Sequence, residues 1–372
     1  MVLLAAGPEL LLSLYVRFSM VLSLLSRLAR RGPLLLLLAV LLSWASQVQG
    51  THLRAGDIQA KIDTTVGPGN NPRRVFFKMV LYQKTPVGVP DETSVTIFFG
   101  DCGPPQVIPR ASAVAVNSET QRNVYFFEHT YSAPSTYTVH YIGENRNAGV
   151  LNMSSSVSQS FYISTTFTID PGLGQNRSPI LTKPSIDNAA VGQVFLHNPA
   201  AYDPDGDSLV FKLRPSMQVV GGITGPQPPC FVVDSTRVTG YVLPNRLQGS
   251  SNGLQVAYTD PSGDSPNGIP GNASIFQQNR RTGTIIWNSP GTVGEYNVAF
   301  VVQEWRRTSF GRRLIGEVIR DMQINVKPTN NQRPILTIPP DICVVAGTLI
   351  TGTVTATDAD NNPIKLTANS GI

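Results

Sequence analysis

Asn176-Arg-Ser-Pro-Ile-Leu-Thr-Lys-Pro184 returns, 155 positions on and without a gap, as Asn331-Gln-Arg-Pro-Ile-Leu-Thr-Ile-Pro339. In the same register Gly192 matches Gly347, Ala201 matches Ala356, Asp203 matches Asp358 and Asp205 matches Asp360. A fixed register held over roughly 36 residues marks one structural unit used at least twice, so the chain reads as an array of modules. The repeat also carries an acidic cluster, Asp203-Pro-Asp-Gly-Asp207 in the first copy and Asp358-Ala-Asp-Asn-Asn362 in the second.

Working outward, the composition favours strands. Among 372 residues there are 32 Gly and 29 Pro, with only 14% charged, which suits many short strands joined by turns. Arg74-Val-Phe-Phe-Lys-Met-Val-Leu-Tyr82 and Ser94-Val-Thr-Ile-Phe-Phe99 are β-branched and aromatic between turn-forming residues. In Ser135-Thr-Tyr-Thr-Val-His-Tyr141 a period of two puts Tyr137, Val139 and Tyr141 on one face and Thr138 and His140 on the other. That pattern predicts a half-buried antiparallel strand with His140 toward solvent. The fold class expected is all-β, as tandem sandwiches with an incomplete last module.

Residues 1–50 are a targeting segment by construction. Arg27, Arg30 and Arg31 precede an apolar run from Pro33 to Ala45, and Val48-Gln-Gly50 offers small residues for cleavage, as in a secretory signal peptide. An uncleaved anchor that also uses Leu10–Leu25 is the alternative, and Met20 is a second candidate start. Without this segment the basic and acidic residues number 25 and 23, so the chain's +5 is largely a targeting feature. No nucleic-acid partner is expected, and the membrane enters only through the N-terminal segment. Cys102, Cys230 and Cys343 are far apart and odd in number, which leaves at least one thiol unpaired; buried, apolar-like cysteines are favoured over a disulfide framework.

Domain boundaries follow composition. Residues 51–172 form a first segment, and Pro171-Gly-Leu-Gly-Gln-Asn-Arg-Ser-Pro179 reads as a linker. Residues 173–328 form a second, in which 217–279 is a Gly-, Pro-, Ser- and Asn-rich insertion, either a binding loop or inert elaboration. Residues 329–372 start a further module too short to close a sandwich, which predicts a longer array.

Phe98-Phe-Gly-Asp-Cys-Gly103 with Phe127-Glu-His-Thr-Tyr-Ser-Ala-Pro-Ser-Thr-Tyr-Thr-Val139 resembles the polycystic-kidney-disease (PKD) module, an immunoglobulin-like β-sandwich. Cys102 and Ser135 stand where that pattern has glycine. The second segment, with its acidic turn, Arg281-Thr-Gly-Thr-Ile-Ile-Trp287 and Gly294-Glu-Tyr-Asn-Val298, resembles cadherin-like or dystroglycan-type modules of exported bacterial surface proteins. Thr51-His-Leu-Arg-Ala-Gly-Asp-Ile58 resembles the start of gliding-motility-associated, type IX secreted proteins.

In cadherin-like families such acidic turns bind Ca2+ near module junctions, so the resemblance implies Asp203, Asp205 and Asp207 as ligands, with Asp358 and Asp360 as the weaker pair. Alternating carboxylates can converge on one hard cation, whereas Asp and Gly are also the ordinary residues of a solvated turn. Asp260-Pro-Ser-Gly-Asp264 spaces its acids differently and reads as turn chemistry. The four histidines, His52, His129, His140 and His197, lie in no metal-binding or catalytic motif. His129 is assigned to the PKD-like strand and turn, and Trp287 and Trp305 to the core or rim of a sandwich. The function expected is a non-catalytic, exported, adhesin-like surface protein with a protein or glycan surface ligand. An accessory carbohydrate-binding region of a larger exported hydrolase is the alternative.

Overall fold

The structure, a computed structural model, describes residues 52–85, 91–221, 233–247, 253–258, 268–340, 342–364 and 366. Residues 1–50, read above as a signal peptide, Cys230, much of the Gly/Pro-rich insertion and the Asp260–Asp264 stretch lie outside the described residues.

The described chain is all-β. The first segment supplies β1 (Leu53–Ile62), β2 (Arg74–Lys84), β3 (Ser94–Phe98), β4 (Gln106–Pro109), β5 (Ser112–Asn117), β6 (Thr120–Thr130), β7 (Ser135–Gly143) and β8 (Phe161–Ile169). The second supplies β9 (Ile180–Leu181), β10 (Ile186–Ala190), β11 (Phe195–His197), β12 (Ala201–Tyr202), β13 (Ser208–Arg214), β14 (Met217–Val219), β15 (Ser235–Arg237), β16 (Ile275–Gln278) and β17 (Ile285–Asn288). It ends in a long hairpin, β18 (Gly294–Thr308) and β19 (Gly311–Lys327), after which β20 (Ile335–Thr337) and β21 (Thr355–Thr357) pair on their own.

Fourteen of these strands join in one large, mainly antiparallel sheet with the path β4-β3-β7-β8-β19-β1-β2-β6-β5. The sheet curls strongly. β2 and β8 are three places apart along the path, roughly 14 Å at about 4.8 Å per strand. Yet the rings of Phe77 on β2 and Phe167 on β8 lie 5.7 Å apart, so the two limbs face one another. Between them lies an aromatic core that includes Phe99, Phe127, Tyr131 and Tyr137. A second core gathers Phe195, Phe211, Trp287, Tyr296, Phe300 and Met322.

The two segments do not have separate hydrogen-bonded frameworks. β19, from the second segment, lies between β8 and β1 of the first: Gly316–Val318 pair with Thr165–Phe167, and Asp321 pairs with Gly56. Gly56 is required there, because a Cβ would come within 2.7 Å of the Val80 carbonyl oxygen and 2.8 Å of a Leu81 methyl.

The seam between the cores is polar and largely buried. Ion pairs cross it: Arg54 with Glu295 at 2.7 Å, Lys84 with the same carboxylate at 3.4 Å, Arg146 with Asp321 at 2.8 Å, and Arg320 with Asp57 at 2.6 Å. Arg320 also donates to the Lys183 carbonyl at 2.7 Å. Asn297 donates to the Arg54 carbonyl and to Asp321, while Gln323 donates to Asn147 and to Asn297. Arg54 and Asp57 belong to the Thr51–Ile58 stretch, so its charged residues serve to lock the two segments together.

Other sequence readings are revised. His140 does not face solvent: it is buried against the rings of Phe98 and Tyr162, and desolvation pushes its pKa down to about 4. Cys102 is exposed and disulfide-bonded, and Cys343 is exposed and free, so neither is a buried apolar-like cysteine. His129 does serve its turn, stacking on Phe99 with Nε2 2.7 Å from Asp101 Oδ2. Trp287 is in the core.

Candidate metal centre

The turn after β12 is shaped by its first carboxylate. Asp203 Oδ1 accepts from the backbone N–H groups of Asp205 at 2.8 Å and Asp207 at 3.0 Å, the local bonding that makes Asp a turn former. Gly206 closes the turn at φ +84°, its N–H donating to the Asp203 carbonyl. Asp205 then faces the linker, where the backbone N–H and Nε of Arg177 donate to its two oxygens at 2.7 and 2.9 Å.

Asp207 receives Arg306 from β18, whose Nη2 donates to Oδ2 at 2.5 Å. The same guanidinium donates to the carbonyls of Leu173 and Gln175 and to Asn176 Oδ1, so the linker is fastened around it. Its pKa is raised, first by the bond to Asp207.

A fourth carboxylate arrives from β18. Val298, Phe300 and Val302 mark the inward phase of that strand, and the next inward position is Glu304, 0% exposed. Asn176 Nδ2 donates to Glu304 Oε2 at 3.0 Å. Among the described residues Glu304 Oε1 has no hydrogen-bond partner, and neither does Asp203 Oδ2; both are buried atoms. Ligand oxygens of Asp203, Asp205, Asp207 and Glu304 all lie within 4.8 Å of one another.

The electrostatics point the same way. Four carboxylates meet two guanidinia, so two acidic charges are left over when all are ionised. Burial, with Asp203 and Asp207 adding repulsion, pushes the Glu304 carboxyl up to about 9. Burial also raises Asp203. At neutral pH Glu304 therefore holds a proton unless a cation takes that place.

Oxygens on opposite sides of one Ca2+ ion are about 4.6–5.2 Å apart, twice its usual ligand distance. The cluster has that span, is built only of oxygen donors, and presents two oxygens without a hydrogen-bond partner among the described residues. It can hold a metal ion such as Ca2+.

The second copy repeats the turn bond for bond. Asp358 Oδ1 accepts from the N–H groups of Asp360 at 2.9 Å and Asn362 at 3.1 Å, and Asp360 Oδ2 accepts from the Gln332 N–H, as Asp205 does from Arg177. Leu336 pairs with Ala356 as Leu181 pairs with Ala201. Asn361 takes φ +58° where Gly206 stands in the first copy. Asp358 and Asp360 are brought together in one turn, but among the described residues no group of three or more acidic ligands includes them.

Glu304, Arg306 and Arg177 complete the first site and were not singled out in the sequence. The signal for Glu304 was its phase: an acid at the inward position directly after Val298, Phe300 and Val302. No protein-family model matches this chain, and neither a curated protein nor a solved structure does.

Proposed function

We propose that the chain is a non-catalytic, exported surface protein of adhesin-like character, built of divergent immunoglobulin-like sandwiches that share β19, with Ca2+ fixing the entry to the second one. The observation that carries the cation is Glu304: a fully buried carboxyl with an unpartnered oxygen, facing three aspartates. An ion there would join the acidic turn to β18, next to the linker residues that Arg177, Asn176 and Arg306 already hold. That is a device for making a junction stiff, which suits a scaffold that presents a ligand surface. Disulfide-bonded Cys102 fits an oxidising, extracytoplasmic compartment. Among the described residues no helix is long and apolar enough to cross a membrane.

The test is thermal unfolding and isothermal titration of the full chain with CaCl2 or MgCl2 after chelation. Ca2+ is expected to raise Tm and to bind with measurable heat, Mg2+ less so because it demands a tighter octahedral shell. Glu304→Gln, which keeps the shape and removes the charge, is expected to abolish the response. No heat and no shift with either ion would overturn the cation reading.

A further inference from the structure

A cavity of ≈ 310 Å³ opens where the end of β13 meets the returning insertion, lined by Leu213, Arg214, Arg237, Tyr241, Leu243 and Arg246 among others. Small-molecule pockets start at about 300 Å3, so this one fits a ligand of one or two rings. Three of these residues are arginines. Among the described residues, none of the three forms an ion pair with a carboxylate, so the cavity gathers three uncompensated guanidinia.

Like charges gathered at one concave place repel one another unless an anion sits between them. The rest of the lining is apolar or aromatic, and the Arg237 guanidinium is held 5.6 Å from the Tyr241 ring centroid, donating to the Tyr241 carbonyl. The wall is firm, because Val238 and Tyr241 pack with Val150 and Met153 of the first segment in a small core of their own. A site fixed before binding loses less on ordering.

We propose that this cavity binds a small organic acid: a carboxylate or phosphate group held by the arginines, on a ring-sized body lying against Leu213, Leu243 and the Tyr241 ring. Guanidinium forks match both anions bidentately. The source is either a free acid or the acidic end sugar of a glycan, and the site stands independently of the cation centre.

The full chain is titrated with glucuronate, glucose 6-phosphate, a galacturonate trimer and, as the neutral control, glucose, read by isothermal calorimetry and saturation-transfer NMR. At least one acid is expected to bind with Kd of about 1 mM or tighter, glucose not at all. Binding is expected to weaken at least about tenfold in the double variant Arg214→Gln, Arg246→Gln, and in about 0.5 M NaCl. If the double variant loses its far-UV signal, Arg246→Gln alone, at an exposed position, serves instead. Trimer binding as tight as the monomer assigns a glycan end; monomer binding alone assigns a free acid. No acid binding at about 10 mM, equal binding of glucose, or binding unchanged in a folded variant overturns the proposal.

Discussion

Arg320 and Asp57 stand 263 positions apart in the chain, yet Nη2 of one lies 2.6 Å from Oδ2 of the other, and both side chains are out of water. Removing one partner of such a pair strands the other charge, at a cost of about 3–5 kcal/mol. Asp57→Asn is therefore expected to lower the stability of both segments at once. Trp287 fluorescence reports the second core and amide hydrogen exchange in β2 and β6 the first; the expected result is one shared transition moved down in the variant. Two separate transitions, only one of them shifted, would show that the seam does not couple the cores.

The buried Glu304 carboxyl has a definite pH signature. Its folded pKa, about 9, lies above its ordinary 4.5, so the folded state binds the extra proton between those values. Its contribution is complete below about 4.5 and is lost as pH rises through about 9. In chelator, Tm is expected to fall across the alkaline side of that window, to fall less in Glu304→Gln, and to be restored by Ca2+. A Tm that climbs with pH toward 9 in chelator would contradict this.

His140 acts at the other end of the scale. Its folded pKa, about 4, lies below its ordinary 6.5, so its contribution is present above 6.5 and is lost as pH falls through about 4. His140→Phe keeps a ring beside Phe98 and has no proton to bind. Denaturant midpoints measured between pH 7 and 4 are expected to fall less in this variant than in the wild type.

Gly56 has the tightest steric demand on β1. A methyl group there meets the Val80 carbonyl and Leu81, both packed, so Gly56→Ala is expected to cost about 1–3 kcal/mol by overpacking. Urea unfolding would measure it, and a loss under about 0.5 kcal/mol would mean that β2 yields easily.

The two acidic turns differ in what surrounds them. Asp205→Ala is expected to remove the Ca2+ response, and Asp360→Ala to leave it unchanged, because only the first turn has a buried fourth carboxylate. Equal losses in calorimetry would mean that both turns bind.

The strand character and the repeat were legible in the sequence because they rest on local pattern: alternation in β7, and a turn whose hydrogen bonds recur 155 residues later. The three aspartates were legible for the same reason. For Glu304 only its inward phase was legible; that it meets the acidic turn comes from β13 pairing with β18, which sets Leu209, two residues after Asp207, opposite it. His140 was misjudged because period-two reasoning gives a strand one wet face, whereas Phe98 and Tyr162 cover that face here. The shared β19 was invisible for a related reason: a linker rich in Gly and Pro announces a change of segment but not which strands will pair across it.

The position of β19 also sets an order of events during folding. The first aromatic core depends on a sheet that stays open between β8 and β1 until Gly316–Asp321 arrive. At about 5–20 residues per second, the roughly 150 residues between Ile169 and that point take about 8–30 s to emerge from a ribosome. Through that interval the β1 and β8 edges stay unpaired and prone to wrong partners. The nascent chain is thus expected to need shielding by a chaperone until the last long hairpin is in place.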